Sequence, residues 1–321
     1  MHRSQRGIAL LIVLWVMTIL TVTALSFSLM TRAETYGTLA FKDGMEKQFL
    51  AEAGVERGIA ELFYRSANID RTVIPDGEEV WKTDGTAYSG RMGNGAYAVR
   101  LFGESGKISL NGLADVSGIV VKNLLIRLGS SPEDADTIVD SILDWKDADN
   151  LHRLNGAEND YYLSLPHPYN ARNADFESLE ELLLVKGITP DILYGKDKKK
   201  GLMHFLTMYT RTATINLNTA PEEVLAALPG MSAFMAEQII QFRNSTAIKS
   251  PADIMGILGG SYSLMASYIS GQTGASMIYT IEASGYRDGE KGEYPIRATV
   301  VIDSSNKYQY VYYRSPAESM Q

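Results

Sequence analysis

The most uniform hydrophobic segment lies near the amino terminus. No residue from Ile8 to Thr31 carries a charge, and a helix over this segment, rising about 1.5 Å per residue, is long enough to cross the hydrocarbon core of a bilayer. Arg3 and Arg6 precede it, and positive charge on a short flank favours the cytoplasmic side. The pattern predicts one transmembrane helix, with the rest of the chain outside the cytoplasm.

After Arg32 the hydrophobic positions become one-sided. Apolar residues such as Phe49 and Leu62 recur among charged residues as far as Arg65, roughly at the spacing of an amphipathic helix. We therefore expect the first helix to continue and to pack one face on other structure. Residues 68–94 are rich in Gly, Asp, Thr and Pro and are interpreted as a long loop.

Two groups of strand patterns flank a helical block. Alternating apolar residues predict a strand over residues 97–101 and a second one through Ile108 and Leu110. Alternation returns in YTIEASGY, IRATVVID and YQYVYY near the carboxyl terminus, whereas the pattern from Gly112 to about Thr273 is mainly helical. The chain is therefore expected to adopt an α+β fold, in which a large all-helical insertion interrupts one sheet.

The helical block contains a weak internal repeat. EELLLVKGIT at residues 180–189 resembles EEVLAALPGMS at residues 222–232, and each is interpreted as helix, glycine turn, helix. Thr219 with Glu222, and Ser131 with Asp134, have the spacing of capping boxes that begin helices. The repeated units resemble helix-hairpin-helix motifs.

This resemblance raises an alternative function, a membrane-anchored helix-hairpin-helix protein that binds DNA. In DNA-binding versions the turn is usually Gly-apolar-Gly, so that backbone N–H groups reach a phosphate, and basic residues follow. Here Thr189 and Ser232 replace the second glycine, and Arg243 is the one basic residue at the end of the following helix. The simpler alternative is that the motif packs short helices, and nucleic acid is not expected as a partner.

Composition narrows the function classes further. The chain has 30 basic and 38 acidic side chains, a formal net charge of −8, which argues against a nucleic-acid or anionic-lipid surface as the main partner. It has no cysteine and therefore neither disulfides nor a thiolate metal site. Its four histidines show no i, i+4 pair, and neither Gly-x-Ser-x-Gly nor a phosphate-binding glycine loop is present. We do not expect an enzyme.

The clearest chemical signal is the acidic segment DWKDADNLHRLNGAENDYY, residues 144–162. Carboxylate and amide oxygens at this density suit Ca²⁺. Leu151 and His152 occupy the fifth and sixth places of an EF-hand register, where an oxygen ligand and glycine are needed, so the segment is not an EF-hand. A solvated acidic loop is the alternative. The better candidate ligands are Asp147, Asp149 and Glu158, and the weaker ones are Asp144 and Asp160.

The beginning of the chain resembles a known type of leader. A short basic segment ends at Gly7, directly before the apolar helix, as in the class III leaders of type IV pilins and type II secretion pseudopilins. The resemblance implies that prepilin peptidase cuts after Gly7, so that the mature chain begins at Ile8 with a methylated amine. A cleavable signal peptide and a plain signal anchor are the alternatives for this segment.

A departure from the pilin pattern points to one family. Most pilin-like proteins have glutamate at the fifth mature position, where this chain has Ile12. The missing glutamate, the acidic segment within the insertion and the sequence INLNTAP at residues 215–221 resemble the minor pseudopilin K family of type II secretion systems. In pilins the glutamate is thought to neutralise the amine of the preceding subunit, so its absence is associated with an assembly position that has no preceding subunit.

The resemblance implies a fold and a function. The fold would be a long N-terminal helix packed on a small antiparallel sheet, with the helical insertion carrying a calcium site. The protein would lie at the tip of the pseudopilus with minor pseudopilins I and J, start its assembly with the major pseudopilin and support export of folded proteins. It would be anchored once in the bacterial inner membrane, with most of the chain in the periplasm. A minor pilin of a related type IV pilus system is a further alternative.

The expected domains follow the same pattern. They are a leader (1–7), a transmembrane part (8–31), an amphipathic helix with the first part of the sheet (32–111), the helical insertion (112–273) and the closing strands (274–321).

Overall fold

A helix spanning residues Gln5–Ala67, α1, leads into a sheet and a second, mainly helical unit. The computed structural model describes residues 5–68, 80–197, 199–270, 277–303, 305 and 307–317, with the backbone alone at residues 5–8 and at Pro251. The described first half of α1 is long and apolar enough to cross a bilayer, and its side chains are exposed. This is consistent with a single-pass membrane anchor.

The second half of α1 packs on the sheet. Leu62 is buried there as predicted, together with Val55 and Ile59, whereas Phe49 is 57% exposed. At Gly54 and Gly58 the helix approaches the strands so closely that an added Cβ would lie 3.1–3.2 Å from side chains of the sheet. These glycines, which have a low intrinsic helix propensity, therefore permit close packing of helix on sheet.

The strands belong to one five-stranded sheet and two short pairs. In chain order they are β1 (Asp84–Met92), β2 (Gly95–Gly103), β3 (Ile108–Ser109), β4 (Leu206–Thr207), β5 (Ile215–Asn216), β6 (Ile269–Ser270), β7 (Ile278–Arg287), β8 (Tyr294–Ile302) and β9 (Tyr308–Arg314). The antiparallel sheet has the order β1-β2-β7-β8-β9. Because β2 and β7 are neighbours, the chain between them is an insertion into the sheet, and the predicted α+β fold is confirmed.

The insertion holds the remaining helices. The α-helices are α2 (Asp115–Leu128), α3 (Pro132–Lys146), α4 (Asn159–Leu163), α5 (Pro190–Tyr194), α6 (Glu222–Ala227), α7 (Ala233–Ser245), α8 (Met255–Leu258) and α9 (Tyr262–Met265). Short 3-10 helices cover Glu104–Gly106, Leu179–Leu184, Leu202–His204, Pro251–Ile254 and Gly259–Ser261. The insertion is not all-helical as predicted, because β3 pairs with β4, and β5 with β6, in parallel.

Two sequence predictions about the sheet were wrong. Strand β1 lies within residues 68–94, which were interpreted as a loop. It is an edge strand whose residues are largely exposed, and backbone pairing with β2 forms it without the apolar alternation that reveals a buried strand. The strand at Ile108 was expected to extend the main sheet, but it pairs with Leu206. The hydrophobic core of the insertion therefore begins at Ile108, ahead of the predicted boundary at residue 112.

The two units have separate hydrophobic cores, and buried polar contacts join them. One core lies between α1 and the sheet, and the other lies within the insertion. Glu104, which is 1% exposed, accepts a hydrogen bond of 2.6 Å from Lys107 Nζ and one of 2.7 Å from Thr280 Oγ1. Since Thr280 belongs to β7, this carboxylate ties the start of the insertion to the sheet.

The predicted helix starts had mixed outcomes. Ser131 Oγ accepts a 3.0 Å hydrogen bond from the Asp134 N–H at the start of α3, as predicted. The predicted capping box of Thr219 and Glu222 was wrong, because α6 begins directly after Pro221 and Glu222 is its first residue. Thr219 instead packs against Gly103 and Gly106. This tertiary packing determines the position of Thr219, although its spacing to Glu222 predicted a helix cap.

Candidate metal centre

The end of α3 and the start of α4 bring three carboxylates together. Asp144 lies in the last turn of α3 on its buried face, Asp147 is the C-cap of α3, and Glu158 is the N-cap of α4. One carboxylate oxygen from each of the three lies within 4.8 Å of the others. The two helix ends therefore bring three carboxylates of one short segment close enough together to bind a single small cation.

Several oxygens in this cluster lack a protein partner. Asp147 Oδ1 and both side-chain oxygens of Glu158 are buried, and they have no hydrogen-bond partner among the residues that the structure describes. Glu158 as a whole is 1% exposed. Buried carboxylate oxygens are almost always paired, because burying them without a partner is costly. Buried carboxylate oxygens without partners in the described chain, in a cluster of three carboxylates, are suitable ligands for a hard cation such as Ca²⁺.

The electrostatics of the cluster agree with this reading. Burial raises the pKa of Glu158 to about 7, and the neighbouring charges of Asp144 and Asp147 contribute to the rise. Burial also raises the pKa of Asp144, although the hydrogen bonds from Arg153 oppose it. A bound cation would favour the ionised form of each carboxylate and so act against both shifts.

Arg153 is the residue of the site that the sequence analysis missed. Its Nη1 donates to Asp144 Oδ1 at 2.7 Å and to Asp147 Oδ2 at 2.6 Å. Its Nε donates to Asp115 Oδ1, in the first turn of α2, at 2.8 Å. Arg153 lies in a loop without periodicity. The one sequence feature that could have indicated its role is its position among the acidic residues of the segment.

The loop that carries Arg153 is held tightly. At Gly156 an added Cβ would collide with Asp144 Oδ2, so only glycine lets the loop pass over the carboxylate. Lys186 Nζ donates to the carbonyl oxygens of Asn155 and Gly156 at 3.2 and 3.0 Å. The site is therefore built by packing as well as by its charged groups.

Two of the candidate ligands lie outside the cluster. Asp149 Oδ1 accepts a hydrogen bond of 2.8 Å from the Leu151 N–H in a local turn. The Asp160 side chain is 74% exposed and lies 2.8 Å from His152 Nε2. The sequence analysis placed Asp149 above Asp144, and the geometry reverses that order because helical periodicity directs Asp144 inward.

The residues proposed for processing and assembly lie on α1. Gly7 and Ile8 belong to its described backbone, but their side chains are outside the description. Ile12 is 58% exposed. Cleavage after Gly7 and an assembly role for Ile12 both stay predictions.

The repeated units each contain two helical segments around a glycine with positive φ. These glycines are Gly187 (φ +86°) and Gly230 (φ +76°), but the first segment of the earlier unit is a 3-10 helix. Their assignment as helix-hairpin-helix motifs stays a prediction.

Models of known protein families match the part of the chain that contains the carboxylate cluster. Two models described as type II secretion system protein K match residues 106–195 and 215–270. The first of them includes the whole acidic cluster. Over these two segments the chain matches the type II secretion system protein K family.

Relatives of this family extend the likeness beyond those segments. Type II secretion system protein K of Pseudomonas aeruginosa is 28% identical over 79% of this chain and 77% of its own length. The Klebsiella pneumoniae protein is 27% identical over 78% and 79%. The Pectobacterium carotovorum protein is 35% identical over 32% of this chain and 30% of its own length.

A solved structure shares the fold. One chain of the crystal structure of the GspK–GspI–GspJ complex from the enterotoxigenic Escherichia coli type 2 secretion system matches with a TM-score of 0.65. The match covers 89% of this chain and 100% of that chain at 17% sequence identity. The fold of this chain, a long N-terminal helix on an antiparallel sheet with a helical insertion, is therefore similar to that of the solved chain.

Proposed function

We propose that this protein K family member is a minor pseudopilin at the tip of the type II secretion pseudopilus, where it initiates assembly and supports export of folded proteins. The observation that carries the proposal is the insertion of a second unit between β2 and β7 of a pilin-like sheet. A helical stack would have to accommodate this bulk at every repeat, whereas a terminal position accommodates it once. Ile12 supports the same position, since it offers no carboxylate to the amine of a preceding subunit.

The proposed partners are minor pseudopilins I and J, followed by the major pseudopilin. The protein of similar fold was crystallised in a GspK–GspI–GspJ complex. The membrane-proximal part of α1 offers exposed apolar residues, among them Phe41 (69% exposed) and Phe49 (57%), to which neighbouring helices can bind. We propose an assembly role and not a catalytic one.

The proposed location is the bacterial inner membrane, with one crossing by α1 and the rest of the chain in the periplasm. Arg3 and Arg6 before the apolar segment support this orientation. Prepilin peptidase would cut after Gly7 and leave Ile8 as the methylated first residue. Amino-terminal sequencing of membrane-extracted protein would show Ile8 first, and Gly7→Val should block maturation. An intact Met1 terminus in cells with active peptidase would contradict the proposal.

Calcium is the proposed ligand of the carboxylate cluster. Asp144, Asp147 and Glu158 would hold it, with backbone carbonyls and water completing the shell. Bound calcium would supply positive charge to carboxylates that burial otherwise penalises. The protein's own contribution is to hold the ends of α3 and α4 at the correct separation, so calcium would stabilise the insertion as a rigid unit.

One observation weighs against the DNA-binding alternative. The Arg243 side chain is 6% exposed, and its Nη1 donates to the carbonyl oxygens of Leu217 and Ala220 at 2.9 and 2.6 Å. The one basic residue at the end of the second unit therefore serves the packing of the turn and cannot reach a phosphate. A gel-shift assay at low salt should detect no salt-dependent binding.

The tip position has a direct test. Quantitative mass spectrometry of sheared filaments should find this protein far below the major pseudopilin in copy number. Co-purification should recover it with I and J in a complex of fixed stoichiometry. Copy numbers comparable to the major subunit would rule out a tip position.

A further inference from the structure

Arg153 connects three parts of the insertion through one guanidinium group. Its side chain is 26% exposed and reaches from the loop after α3 to the carboxylates of Asp144 and Asp147. On its more exposed side, its Nε binds Asp115 at the start of α2. The backbone N–H of Arg153 also donates to both Asp144 oxygens, at 3.3 and 3.2 Å.

The guanidinium does not use the oxygens that are free for a cation. It takes Oδ1 of Asp144 and Oδ2 of Asp147, while Asp147 Oδ1 and both Glu158 oxygens are buried without a hydrogen-bond partner in the described chain. An arginine that merely replaced the cation would be expected to bind Glu158 as well. The observed division instead leaves Asp147 Oδ1 and both Glu158 oxygens without a protein partner among the described residues, in a cluster whose three carboxylates lie within 4.8 Å of one another.

We propose that Arg153 is a positioning residue for the cation site and remains bound to Asp144 and Asp147 when a divalent cation binds. It holds one oxygen of each carboxylate and so keeps Asp147 Oδ1 available to a cation shared with Glu158. Asp147 needs this most, because it caps the end of α3 and is 30% exposed, so that it would otherwise be free to turn to solvent. The inference rests on the proposed calcium site.

Loss of Arg153 would change the affinity for calcium in opposite directions, depending on whether its charge or its orienting contacts matter more. If only charge mattered, removing a cation beside the site would strengthen calcium binding. If orientation dominates, the loss would weaken it, since groups that orient metal ligands typically contribute about 10–100-fold to affinity. The charge of Arg153 is already shared among three carboxylates, which reduces its repulsion of a cation. Orientation should therefore prevail.

The test is calorimetric titration of the purified full-length protein in detergent with CaCl₂. Arg153→Gln should weaken calcium binding by about tenfold or more, and Arg153→Lys should lie between that variant and the unmodified protein. Arg287→Gln is the matched control, because Arg287 also binds three carboxylates but lies outside the insertion, and it should leave the affinity unchanged. Binding by Arg153→Gln as tight as or tighter than that of the unmodified protein would overturn the proposal.

The salt dependence of calcium binding distinguishes an orienting role of Arg153 from an effect of its charge. An effect of charge alone is screened as ionic strength rises, so the ratio of the two dissociation constants should be the same in 50 mM and 500 mM NaCl if Arg153 acts by position. A ratio that approaches one at high salt would overturn the proposal. Near-ultraviolet circular dichroism verifies that each variant is folded.

A second variant leaves Arg153 in place. Asp115→Asn removes only the partner of Nε, on an exposed side chain, and should weaken calcium binding in the same direction but less than Arg153→Gln. Equal or tighter binding by this variant would also count against the proposal. If the unmodified protein itself gives no binding heat, the proposed calcium site fails and this inference with it, an outcome distinct from normal binding by the variants.

Discussion

Two arginines in this protein each gather three carboxylates, but in different surroundings. Arg287 lies where α1 meets the turn between β7 and β8, and it pairs with Asp43, Glu46 and Glu290. These acidic side chains are 27%, 39% and 30% exposed. Water therefore reaches the carboxylates and solvates any oxygen that the arginine does not bind.

Arg153 is about as exposed as Arg287, but one of its three partners and an adjacent carboxylate are withdrawn from water. Asp144 is fully buried, and the adjacent Glu158 is 1% exposed with both side-chain oxygens unpaired in the described residues. From this comparison we infer that burial, more than the number of acidic residues, makes a carboxylate cluster a candidate cation site.

The largest loss of stability is expected from a substitution at Gly156, which lets the loop cover the Asp144 carboxylate. Gly156→Ala would place a Cβ against Asp144 Oδ2, so the loop or the carboxylate must move, at a cost of about 2–4 kcal/mol. The variant should also lose its stabilisation by calcium. Thermal unfolding monitored by circular dichroism measures both effects. Gly256→Ala is the control, because an added Cβ there meets nothing within 4 Å, and equal losses in both variants would contradict the argument.

Next in size is the stabilisation by calcium itself. A ligand at about 100 times its dissociation constant stabilises the folded state by about 2.7 kcal/mol, and Asp147→Ala combined with Glu158→Ala should abolish this gain. Melting temperatures in chelator and in millimolar calcium measure it. Asp43→Ala combined with Glu290→Ala, at the Arg287 cluster, should retain the full gain. Equal melting temperatures of the unmodified protein with and without calcium would mean that the cluster is merely acidic.

A smaller effect is expected in the pH dependence of the calcium-free protein. Because the pKa of Glu158 is raised to about 7 from its ordinary value of 4.5, the folded state keeps a proton that the unfolded chain releases between these values. The free energy of unfolding should therefore fall as pH rises from about 4.5 to about 7 and then level off. Chemical denaturation in chelator at a series of pH values measures this slope.

Two matched variants test whether Glu158 causes this dependence of the unfolding free energy on pH. Glu158→Gln should reduce it, whereas Glu290→Gln should not, because Arg287 lowers the pKa of Glu290 and moves its titration below this window. An unchanged slope in Glu158→Gln would assign the pH dependence to other groups.

The smallest effect is expected at the Arg287 cluster, whose side chains are 27–39% exposed. Arg287→Gln removes ion pairs that water already screens, and exposed pairs contribute about 0–1 kcal/mol each. Denaturant unfolding should show a loss near this range and an undiminished response to calcium. A loss as large as that of Gly156→Ala would remove the distinction between the two clusters.

The sequence by itself determined the features that depend on local pattern. The uncharged stretch from Ile8 to Thr31 specifies a membrane-length helix, and the alternating carboxyl-terminal strands specify a sheet interrupted by helices. Ser131 marked the start of α3 because capping involves atoms only three residues apart. The acidic segment located the candidate site to within a short stretch of chain.

Tertiary structure decided what depends on residues distant in sequence. Strand β1 forms because β2 supplies its backbone partners, and Ile108 joins the insertion because Leu206 lies beside it. Asp144, and not Asp149, belongs to the carboxylate cluster because the end of α3 faces the start of α4. The position of Arg153 depends on α2, α3 and a loop meeting at one point. Burial and pairing arise only when the chain is packed, so periodicity and spacing could not specify them.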